Sequence, residues 1–374
     1  MPAPDLLDIF LVTAPGHEAA LVDEARARGF PGPKAVPGGV VMKGRWPVVW
    51  RANLELRGAV RVLVRIAAFR AAHLRDLEAG ARRIAWTGIL RPDAPVRVEA
   101  TCRRSRIYHS GAAAERVADA IKASLGLEID DAAEVAIRLR IDANMCAVSV
   151  DTSGEPLYKR GHKTAVGKAP MRETMAALFL LQSGYDGSEP VLDPLCGSGT
   201  FLIEAAEIAA GLAAGRARHF AFERLAAFDP AAWESVRKAA ETRRKPPPPF
   251  RFRGFDRDPG AVRMSRENAE RAGVGDLIEF AAGDVSDLAA PPGPPGLVIA
   301  NPPYGARLGA RHGLARLYRT LGERLSSGFS GWRAGIVTAD PGLAAATGLT
   351  FAATSPAVSH GGLRTRLYLT APLR

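Results

Sequence analysis

The chain has 374 residues, of which 47% are apolar, and this length predicts two or three domains with more than one hydrophobic core. Its 50 Lys and Arg residues exceed the 39 Asp and Glu residues, and the formal net charge of +11 favours a polyanionic partner such as nucleic acid. Three widely spaced cysteines without a CxxC exclude a disulfide framework and a cysteine-based zinc site, and no apolar run reaches the roughly 18 residues needed to span a bilayer.

The first 155 residues alternate strand-like and helix-like patterns, which predicts an α+β region. Ser110 is the expected N-cap of the longest of these helices. The segment Asp142–Asn144 is expected to be the turn between the last two strands. The predicted strands are Leu6–Thr13, Gly39–Met42, Ala59–Phe69, Val96–Cys102, Glu134–Ile141 and Met145–Val150, and the predicted helices are Gly16–Gly29, Trp46–Leu56, Leu74–Ile84 and Ser110–Leu125.

The stretch Asp151–Lys168 breaks this alternation, because it is rich in glycine and positive charge. It is predicted to be an interdomain linker or a ligand-contacting loop, with a solvated loop as an equal alternative. Beyond it, alternating strands and helices favour a doubly wound, mainly parallel sheet, with Gly215–Pro249 as an insertion. The predicted strands are Pro190–Asp193, Phe250–Asp256, Leu277–Ala282, Gly296–Asn301, Ala334–Ala339 and Leu363–Thr370, and the predicted helices are Thr200–Ala214, Pro259–Ala272 and Leu314–Leu325.

A strand, a glycine-rich loop and a helix follow one another in VLDPLCGSGTFLIEAA (Val191–Ala206). The strand ends in Asp193, Gly197 and Gly199 allow the backbone to approach a ligand, and a helix beginning near Thr200 offers free N–H groups. The third glycine of the dinucleotide fingerprint and the lysine of a P-loop are both missing. A carboxylate at the strand end suits a ligand with a positive charge, such as S-adenosylmethionine, and an ordinary glycine turn is the alternative.

Two later strands are also followed by acidic residues. Asp256 ends a strand and can accept hydrogen bonds from both hydroxyls of a ribose, although it lies 256 − 199 = 57 residues after Gly199, which fits only if an insertion intervenes. Asp258 is predicted to cap the next helix, with Pro259 as its first residue. Asp284 follows a third strand and could accept from an adenine amine, or it could be a turn residue.

The most specific pattern is GLVIANPPYG (Gly296–Gly305), in which an apolar strand leads into Asn301, Pro302 and Tyr304. An exocyclic amine of a nucleobase is a poor nucleophile, and two acceptors aimed at its hydrogens would stabilise the positive charge that develops on attack. The side-chain oxygen of Asn301 and the carbonyl of Pro302 can be those acceptors, while Tyr304 offers a ring for stacking. A rigid Pro-Pro turn is the alternative, and it leaves the asparagine and the tyrosine unexplained.

From about residue 165 to 374 these segments resemble the class I S-adenosylmethionine-dependent methyltransferases of the N-P-P-Y type. The runs YKRGHKTAVGKAPMRETMAALFL, LDPLCGSGTFLIEAA and NPPYGARLG are similar to those of THUMP-bearing guanine-N2 methyltransferases of RNA, among them enzymes of large-subunit ribosomal RNA. The resemblance implies an α/β fold class: a ferredoxin-like subdomain at 1–65, a THUMP RNA-binding domain at 66–155, and a Rossmann-like methyltransferase domain with a mainly parallel seven-stranded sheet at 156–374.

The same resemblance implies the roles of individual residues. Asn301, Pro302 and Tyr304 would hold the target base, Asp256 the ribose of the cofactor, and Asp284 would lie by its adenine. Glu173 and Thr174 would begin a helix near the cofactor, although ordinary helix N-terminal charge explains them nearly as well. Cys196 is expected to be a small apolar filler and not a nucleophile. The methionine end of the cofactor would be lined by Asp193, Gly197 and Gly199, and the other cofactor-binding residues of this loop would be Pro194, Cys196 and Thr200.

The function expected is methylation of the N2 amine of guanine in structured RNA, with 23S rRNA as the first candidate and with S-adenosylmethionine as the cofactor. A tRNA guanine-N2 methyltransferase, an adenine-N6 methyltransferase of DNA and a non-catalytic RNA-binding factor are the alternatives. We expect no metal, no membrane and a monomer, and an N-terminus unlike a signal peptide predicts the cytoplasm. The expected RNA contacts are Arg97, Arg103, Arg104, Arg106, Tyr108, Lys122, Lys159, Arg160 and Lys163, although clustered charges are usually solvated.

Overall fold

The computed structural model describes residues 6–162, 171–304 and 311–374, and these form two compact units. The first unit consists of the described parts of Met1–Thr13, Ala25–Leu157 and Arg218–Ala239. The second consists of Ala14–Glu24 and the described parts of Tyr158–Ala217 and Ala240–Arg374. Most of the segment predicted as an insertion therefore belongs to the first unit.

The first unit is built on a seven-stranded sheet with the order β2-β3-β1-β4-β7-β6-β5, in which only β5 and β6 are parallel. Alternate residues of β6 are buried, which is the pattern of strands with one face on a core. Its elements are β1 (Leu7–Val12), α1 (Glu18–Ala27, which begins in the second unit), β2 (Lys34–Val36), β3 (Gly39–Gly44), α2 (Trp46–Glu55), β4 (Arg61–Arg70), α3 (Leu74–Arg82), β5 (Val96–Arg103), α4 (Ser110–Leu125), β6 (Val135–Asp142) and β7 (Met145–Asp151).

Two local details of the first unit bear on the sequence predictions. The turn between β6 and β7 is confirmed, with Ala143 and Asn144 both at positive φ, as a tight hairpin turn requires. The N-cap of α4 is His109 and not Ser110, because Nδ1 of the imidazole accepts a hydrogen bond from the N–H of Ala112 at 3.0 Å. Ser110 is instead the first helical residue. Histidine is an uncommon cap, so the serine beside it was the natural prediction.

The second unit is an α/β fold whose main sheet has the order β10-β9-β8-β11-β12-β15-β13, with β14 paired to β15. The first five strands of this order are parallel and β15 is antiparallel, which confirms the class I methyltransferase topology. The elements after residue 157 are α5 (Glu173–Gln182), β8 (Val191–Asp193), α6 (Thr200–Ala209), α7 (Pro230–Glu241, mostly in the first unit), β9 (Phe252–Asp256), α8 (Pro259–Arg271), β10 (Ile278–Ala282), β11 (Leu297–Ala300), α9 (Arg311–Gly328), β12 (Arg333–Thr338), α10 (Pro341–Ala346), β13 (Phe351–Thr354), β14 (Val358–His360) and β15 (Leu363–Thr370).

Two cores cover the faces of this sheet. One includes Phe179 of α5 and Phe201 of α6, and the other includes Tyr318 and Leu321 of α9. All four residues of β11 are buried, as expected for a central strand covered on both faces. Helix α6 is shorter than predicted, and Gly211 just beyond its end has a left-handed φ of 66°, a conformation that commonly ends helices.

Gly16 ties the Ala14–Glu24 segment into the second unit. Its φ is 101°, and a Cβ atom built there would lie 2.6 Å from the carbonyl oxygen of Ala357. Gly16→Ala should therefore lower stability by about 2 kcal/mol or more, because it adds a clash to the strain of positive φ. Gly29→Ala is the matched control, because Gly29 has a φ of 68° and an added Cβ meets nothing within 4 Å. In urea unfolding, the free energy of unfolding of Gly16→Ala should be well below that of Gly29→Ala. Equal losses of stability in the two variants would contradict this packing.

Candidate active site

The carboxyl ends of three adjacent strands converge at one edge of the second unit's sheet. Asp193 ends β8, Asp256 ends β9 and Asn301 directly follows β11. Strand β8 lies between β9 and β11, so the order of strands reverses direction here. Open α/β sheets bind ligands in the crevice outside such a switch point. The three residues singled out by the sequence are therefore brought to one place.

The glycine-rich loop is tied to the end of β9. Both Gly197 and Gly199 have left-handed φ values, 55° and 79°. The N–H of Gly197 donates to Oδ2 of Asp256 at 3.0 Å, and the N–H of Asp258 donates to Oδ1 at 2.9 Å. A Cβ atom at Gly197 would meet nothing within 4 Å, whereas one at Gly199 would meet Phe280 at 3.2 Å. The backbone at Gly197 thus borders open space, and the Asp256 carboxylate is held in a fixed orientation beside it.

Asp193 is a buried carboxyl group, with 2% of its surface exposed. It accepts one hydrogen bond from the N–H of Leu195 at 3.0 Å. Burial raises the pKa of Asp193 to about 8, and the nearby charge of Asp256 adds to the rise. A cation placed near these two carboxylates would favour the ionised form of Asp193. This is the electrostatic arrangement expected of a site for a positively charged ligand.

Most other residues of the loop are buried, and Leu195 is half-buried. Cys196 is 5% exposed, its Sγ lies 3.8 Å from Oγ of Ser265, and burial raises the pKa of its thiol, which fits a packing role. Pro194 is buried, and the hydroxyls of Ser198 and Thr200 lie 3.2 Å apart, also buried. These side chains shape the loop, and the loop can reach a ligand through its backbone.

A cavity of about 550 Å³ lies at this edge of the sheet, within the size range of small-molecule sites. Asp256, Asp284 and Asn301 all line it. Asp284 also caps a short 3₁₀ turn by accepting from the N–H of Ser286 at 2.9 Å, so both roles predicted for it are compatible. The remaining lining residues are Leu195, Arg257, Gly283, Val285, Pro303, Gly313, Leu314 and Leu317.

Asn301 carries an unusual feature for a residue in this position. Its Oδ1 atom is buried and finds no hydrogen-bond partner among the described residues. Leaving a buried acceptor unsatisfied costs about 1–3 kcal/mol, so such atoms are rare and often functional. Because Asn301 lines the cavity, this acceptor, without a partner among the described residues, lies close to where a ligand could donate a hydrogen bond to it.

Pro302 and Tyr304 do not line this cavity. Pro302 is buried, and its carbonyl accepts a long hydrogen bond of 3.5 Å from the hydroxyl of Tyr318. Tyr304 is partly buried against the core that includes Tyr318, and burial raises the pKa of Tyr304 to about 12. The carbonyl keeps a second lone pair for a ligand. The stacking role of Tyr304 stays a prediction.

Helix α5 begins at Glu173, and both Glu173 and Thr174 are buried in its first turn. Neither residue lines the cavity. Arg257, Leu314 and Leu317 form cavity walls that were not predicted from the sequence. Arg257 could have been suspected because it follows Asp256 directly, whereas leucines on an amphipathic helix carry no signal of their own.

The predicted RNA contacts have mixed placements. Arg103, Arg106 and Lys122 of the first unit are exposed, as is Lys159 of the second. Arg104 is also exposed, and its guanidinium donates to Oδ1 of Asp142 at 2.7 Å and 3.0 Å. These placements leave all five side chains accessible to a polyanion.

Arg160 has a different role from the one predicted. It is 2% exposed, and its Nε donates to Oε1 of the buried Glu204 at 3.0 Å. A guanidinium held in a buried ion pair cannot reach a phosphate, so Arg160 is removed from the RNA-contacting set. Lys163 lies outside the described residues.

Within residues 6–162, 171–304 and 311–374, no group of three or more His, Cys, Asp or Glu side chains is arranged to hold a metal ion. Over the same part of the chain, no helix is long and apolar enough to cross a bilayer.

Three family models match the chain. A model described as RMKL-like, methyltransferase domain, matches residues 160–364, more than half of the chain. A model of the RlmL ferredoxin-like domain matches residues 8–63, and a THUMP domain model matches residues 71–151.

Individual proteins are also similar to this chain. It is 38% identical over 346 residues to ribosomal RNA large subunit methyltransferase K/L of Aliivibrio salmonicida, covering 89% of this chain and 49% of the relative. The chain therefore spans about half the length of that curated relative. The solved structure of SMU.472, assigned as a methyltransferase and complexed with SAH, is 28% identical with a TM-score of 0.91 over 100% of both chains. A structure from Listeria monocytogenes, named a predicted N6-adenine-specific DNA methylase, is 30% identical with a TM-score of 0.90 over 98% of this chain and 96% of that one.

Proposed function

The chain belongs to the family of RMKL-like methyltransferase domains, and from this premise we propose that it methylates the N2 amine of a guanine in structured RNA, with 23S rRNA as the substrate. It is a methyltransferase, and its cofactor is S-adenosylmethionine. The name of the relative from Aliivibrio salmonicida supports ribosomal RNA, and the match to a THUMP domain model supports an RNA partner. The division into a ferredoxin-like region, a THUMP region and a methyltransferase region, with boundaries near 65 and 155, is part of this proposal.

The observation that carries the proposal is that Asn301 lines the same cavity as Asp256 while its Oδ1 finds no hydrogen-bond partner in the described part of the chain. An amine brought to Asn301 would supply the missing hydrogen bond. The acceptor would pull a hydrogen of the amine out of the base plane, which localises the nitrogen lone pair and makes it a better nucleophile. The Pro302 carbonyl, only weakly engaged by Tyr318 at 3.5 Å, is the second acceptor in this scheme.

The residues at and after the carboxyl ends of β8 and β9 fit the cofactor. Asp256 is oriented by Gly197 and Asp258 and can accept hydrogen bonds from the two ribose hydroxyls. The free space beside Gly197 allows a ligand to approach the backbone, and Asp193 would balance a positive charge there. When bound, the cofactor supplies a methyl group activated by its attachment to a positively charged sulfur.

The protein's part in the reaction is then mainly positioning. Holding a nucleophile in line with the carbon that it attacks can supply a large share of the rate enhancement. Asn301 would fix the amine, Tyr304 would support the extruded base, and the walls of Leu314 and Leu317 would exclude water. A strong general base is not needed, because methylation makes the amine nitrogen far more acidic, and its proton can pass to solvent.

The raised pKa of Asp193 predicts that cofactor affinity depends on pH. If the cofactor binds the ionised carboxylate, affinity should increase about tenfold between pH 7 and pH 9, as a group with a pKa of about 8 loses its proton. The stability of the protein without cofactor depends on pH in the opposite direction: it falls as the pH rises. The protonated carboxyl stabilises the fold fully below about pH 4, and this contribution is lost as the pH rises through about 8.

Calorimetric titration with S-adenosylmethionine at several pH values tests this dependence. Asp193→Asn is the control, because it should bind more weakly and lose the rise in affinity between pH 7 and pH 9. It should also unfold at a higher temperature than the wild type in alkaline buffer. An affinity of the wild type that stays constant over this range would contradict the role assigned to Asp193.

The RNA contacts proposed for the N-terminal region are Arg103, Arg104, Arg106 and Lys122, joined by Lys159. If they bind phosphates, the KM for RNA should rise steeply with salt. Since the proposed substrate is a cytoplasmic molecule, we also propose the cytoplasm as the compartment of the protein.

Separate incubations with rRNA, tRNA and duplex DNA, each with methyl-labelled cofactor, test the choice of polymer. We expect the labelled methyl group in 23S rRNA that is taken from a strain lacking this gene, because rRNA from the parent strain would already be methylated. Label in tRNA alone would favour a tRNA guanine-N2 methyltransferase. Label in DNA alone would exclude the RNA proposal.

A further inference from the structure

A β-hairpin at the edge of the active site carries positive charge, which can bind the phosphates of an RNA backbone. Strands β14 and β15 pair from Val358–Thr365 to His360–Leu363, and Gly361 and Gly362 form the turn between them. We propose that Arg364 and Arg366 of this hairpin bind the RNA phosphates next to the target nucleotide. This inference rests on the proposed function and extends it to a surface outside the sequence-predicted RNA contacts.

The register of the sheet gives the position of the hairpin relative to Asn301. Ala300, which precedes Asn301, pairs with Ile336 of β12, and Ile336 pairs with Tyr368 of β15. Ala300 and Tyr368 therefore lie in one row, about 10 Å apart across two strand spacings. From that row β15 runs back toward its first residue, Leu363, and so passes the edge where the parallel strands end.

The same geometry places the two arginines. Arg366 lies two residues past the row of Tyr368 and Arg364 lies four past it, or about 7 Å and 13 Å along the strand. Side chains alternate between the two faces along β15, so both arginines lie on the same face of the sheet as Tyr368. Ile336 is on this face too, and it belongs to the core against which Tyr304 packs. The two guanidinium groups thus lie beyond the same edge of the sheet at which Asn301 follows β11.

The hairpin is built to hold this position. Both turn glycines have positive φ, 56° at Gly361 and 82° at Gly362, as the tight two-residue turn of a hairpin requires. Thr365 is fully buried and its hydroxyl donates to the carbonyl of Val358 at 3.3 Å. Strand β15 is also paired to β12 along its later half. Little conformational entropy would be lost when such a hairpin binds.

The charge of this segment has one sign. Residues 341–374 contain three Arg and no Asp, Glu or Lys. Arg364 and Arg366 are exposed, and within the described part of the chain neither forms an ion pair; Arg366 donates only to the carbonyl of Ser355, at 3.2 Å. Asp340 follows β12 at this edge, and its carboxylate caps α10 by accepting from Gly342 and Leu343. Two exposed arginines with no acidic partner among the described residues are suited to phosphates, which guanidinium groups bind in a bidentate way.

The tip of the hairpin adds an apolar contact. Leu363, next to Arg364, is 43% exposed. His360, its cross-strand partner, has a pKa lowered first by burial and then by the charge of Arg172, so it is neutral at neutral pH. A polyanion whose bases have apolar faces matches this combination of arginines and leucine. A small anion would use the charge and leave the leucine exposed.

The test compares Arg364→Ala/Arg366→Ala with Arg374→Ala. Arg374 is an exposed arginine of the same acid-free segment, and it lies beyond the opposite end of β15. With rRNA as substrate, the double variant should show a KM for RNA raised about tenfold, and a plot of log KM against log salt with a slope lower by between about one and two. Its kcat and its calorimetric affinity for S-adenosylmethionine should stay within about twofold of wild type, and Arg374→Ala should match wild type throughout.

A double Arg→Lys variant keeps the charge but loses the bidentate geometry, so its KM for RNA should lie between those of the wild type and the double alanine variant. If the double alanine variant keeps the wild-type KM and salt slope, the hairpin does not bind RNA. If it loses affinity for S-adenosylmethionine together with RNA, the arginines support the fold and the inference is wrong. If the wild type methylates no RNA, both the proposed function and this inference fail, and that result appears before any variant is compared.

Discussion

Asn301→Ala should reduce kcat about 100-fold or more while leaving the affinity for S-adenosylmethionine within about twofold of wild type. The reason is that Asn301 lines the cavity, and its buried Oδ1 has no hydrogen-bond partner within the described residues. An interaction formed mainly as charge develops on the amine affects the transition state and not the binding of the cofactor. Single-turnover kinetics with rRNA, together with calorimetric titration of the cofactor, measure the two quantities separately.

The stability of the same variant separates catalysis from folding. Removing a buried acceptor without a partner should leave the thermal unfolding temperature unchanged or raise it, because the unsatisfied group costs free energy in the folded state. Asn301→Asp keeps an oxygen acceptor and should retain more activity than the alanine variant. Wild-type turnover of Asn301→Ala, or a slow variant that is also clearly unfolded, would contradict the role proposed for this residue.

Asp256→Ala should weaken the binding of S-adenosylmethionine by about 10- to 100-fold, which corresponds to the loss of charge-assisted hydrogen bonds worth about 1.5–3 kcal/mol. The carboxylate holds Gly197 at 3.0 Å and is oriented by the N–H of Asp258 at 2.9 Å, so the variant loses a proposed ribose acceptor and a support of the glycine loop together. The KM for the cofactor should rise, and kcat at saturating cofactor should fall much less.

Asp258→Ala is the matched control for that experiment. The Asp258 side chain accepts from the N–H of Gly260 at 2.8 Å and caps α8, as the sequence predicted. Its loss should cost about 1 kcal/mol of stability and leave cofactor affinity nearly unchanged. If both variants weakened cofactor binding equally, the loss of affinity would come from the loop as a whole and not from Asp256. Unchanged affinity in Asp256→Ala would refute the assignment of the ribose-binding residue.

The parts of the fold that were predictable are those in which local sequence and tertiary structure agree. Strand β11 is a buried run between glycine and asparagine, and α8 begins at an Asp-Pro cap, so each element carries its own boundaries. Strand β2, by contrast, has three residues, none of them buried, and depends on pairing with β3. Such a strand has no periodicity to detect.

The candidate site shows the same division. Asp193, Asp256 and Asn301 were found because polar residues at the ends of apolar strands have few structural explanations. The cavity wall at Leu314 was missed because a leucine on an amphipathic helix looks the same over a core and over a ligand. Arg160 was misplaced because charge alone does not reveal a buried partner such as Glu204, 44 residues away. Contacts between residues far apart in the chain determine the roles of these residues, and such contacts cannot be read from a single sequence.

Asn301 is proposed to present an exocyclic amine of guanine to the methyl donor. Mass spectrometry of nucleosides from 23S rRNA, treated with the protein and a deuterated methyl donor, can detect the product of that step. We expect labelled N2-methylguanosine with the wild type and almost none with Asn301→Ala. Label on a ring carbon, a ribose oxygen or an adenine amine, or equal labelling by the two proteins, would contradict it.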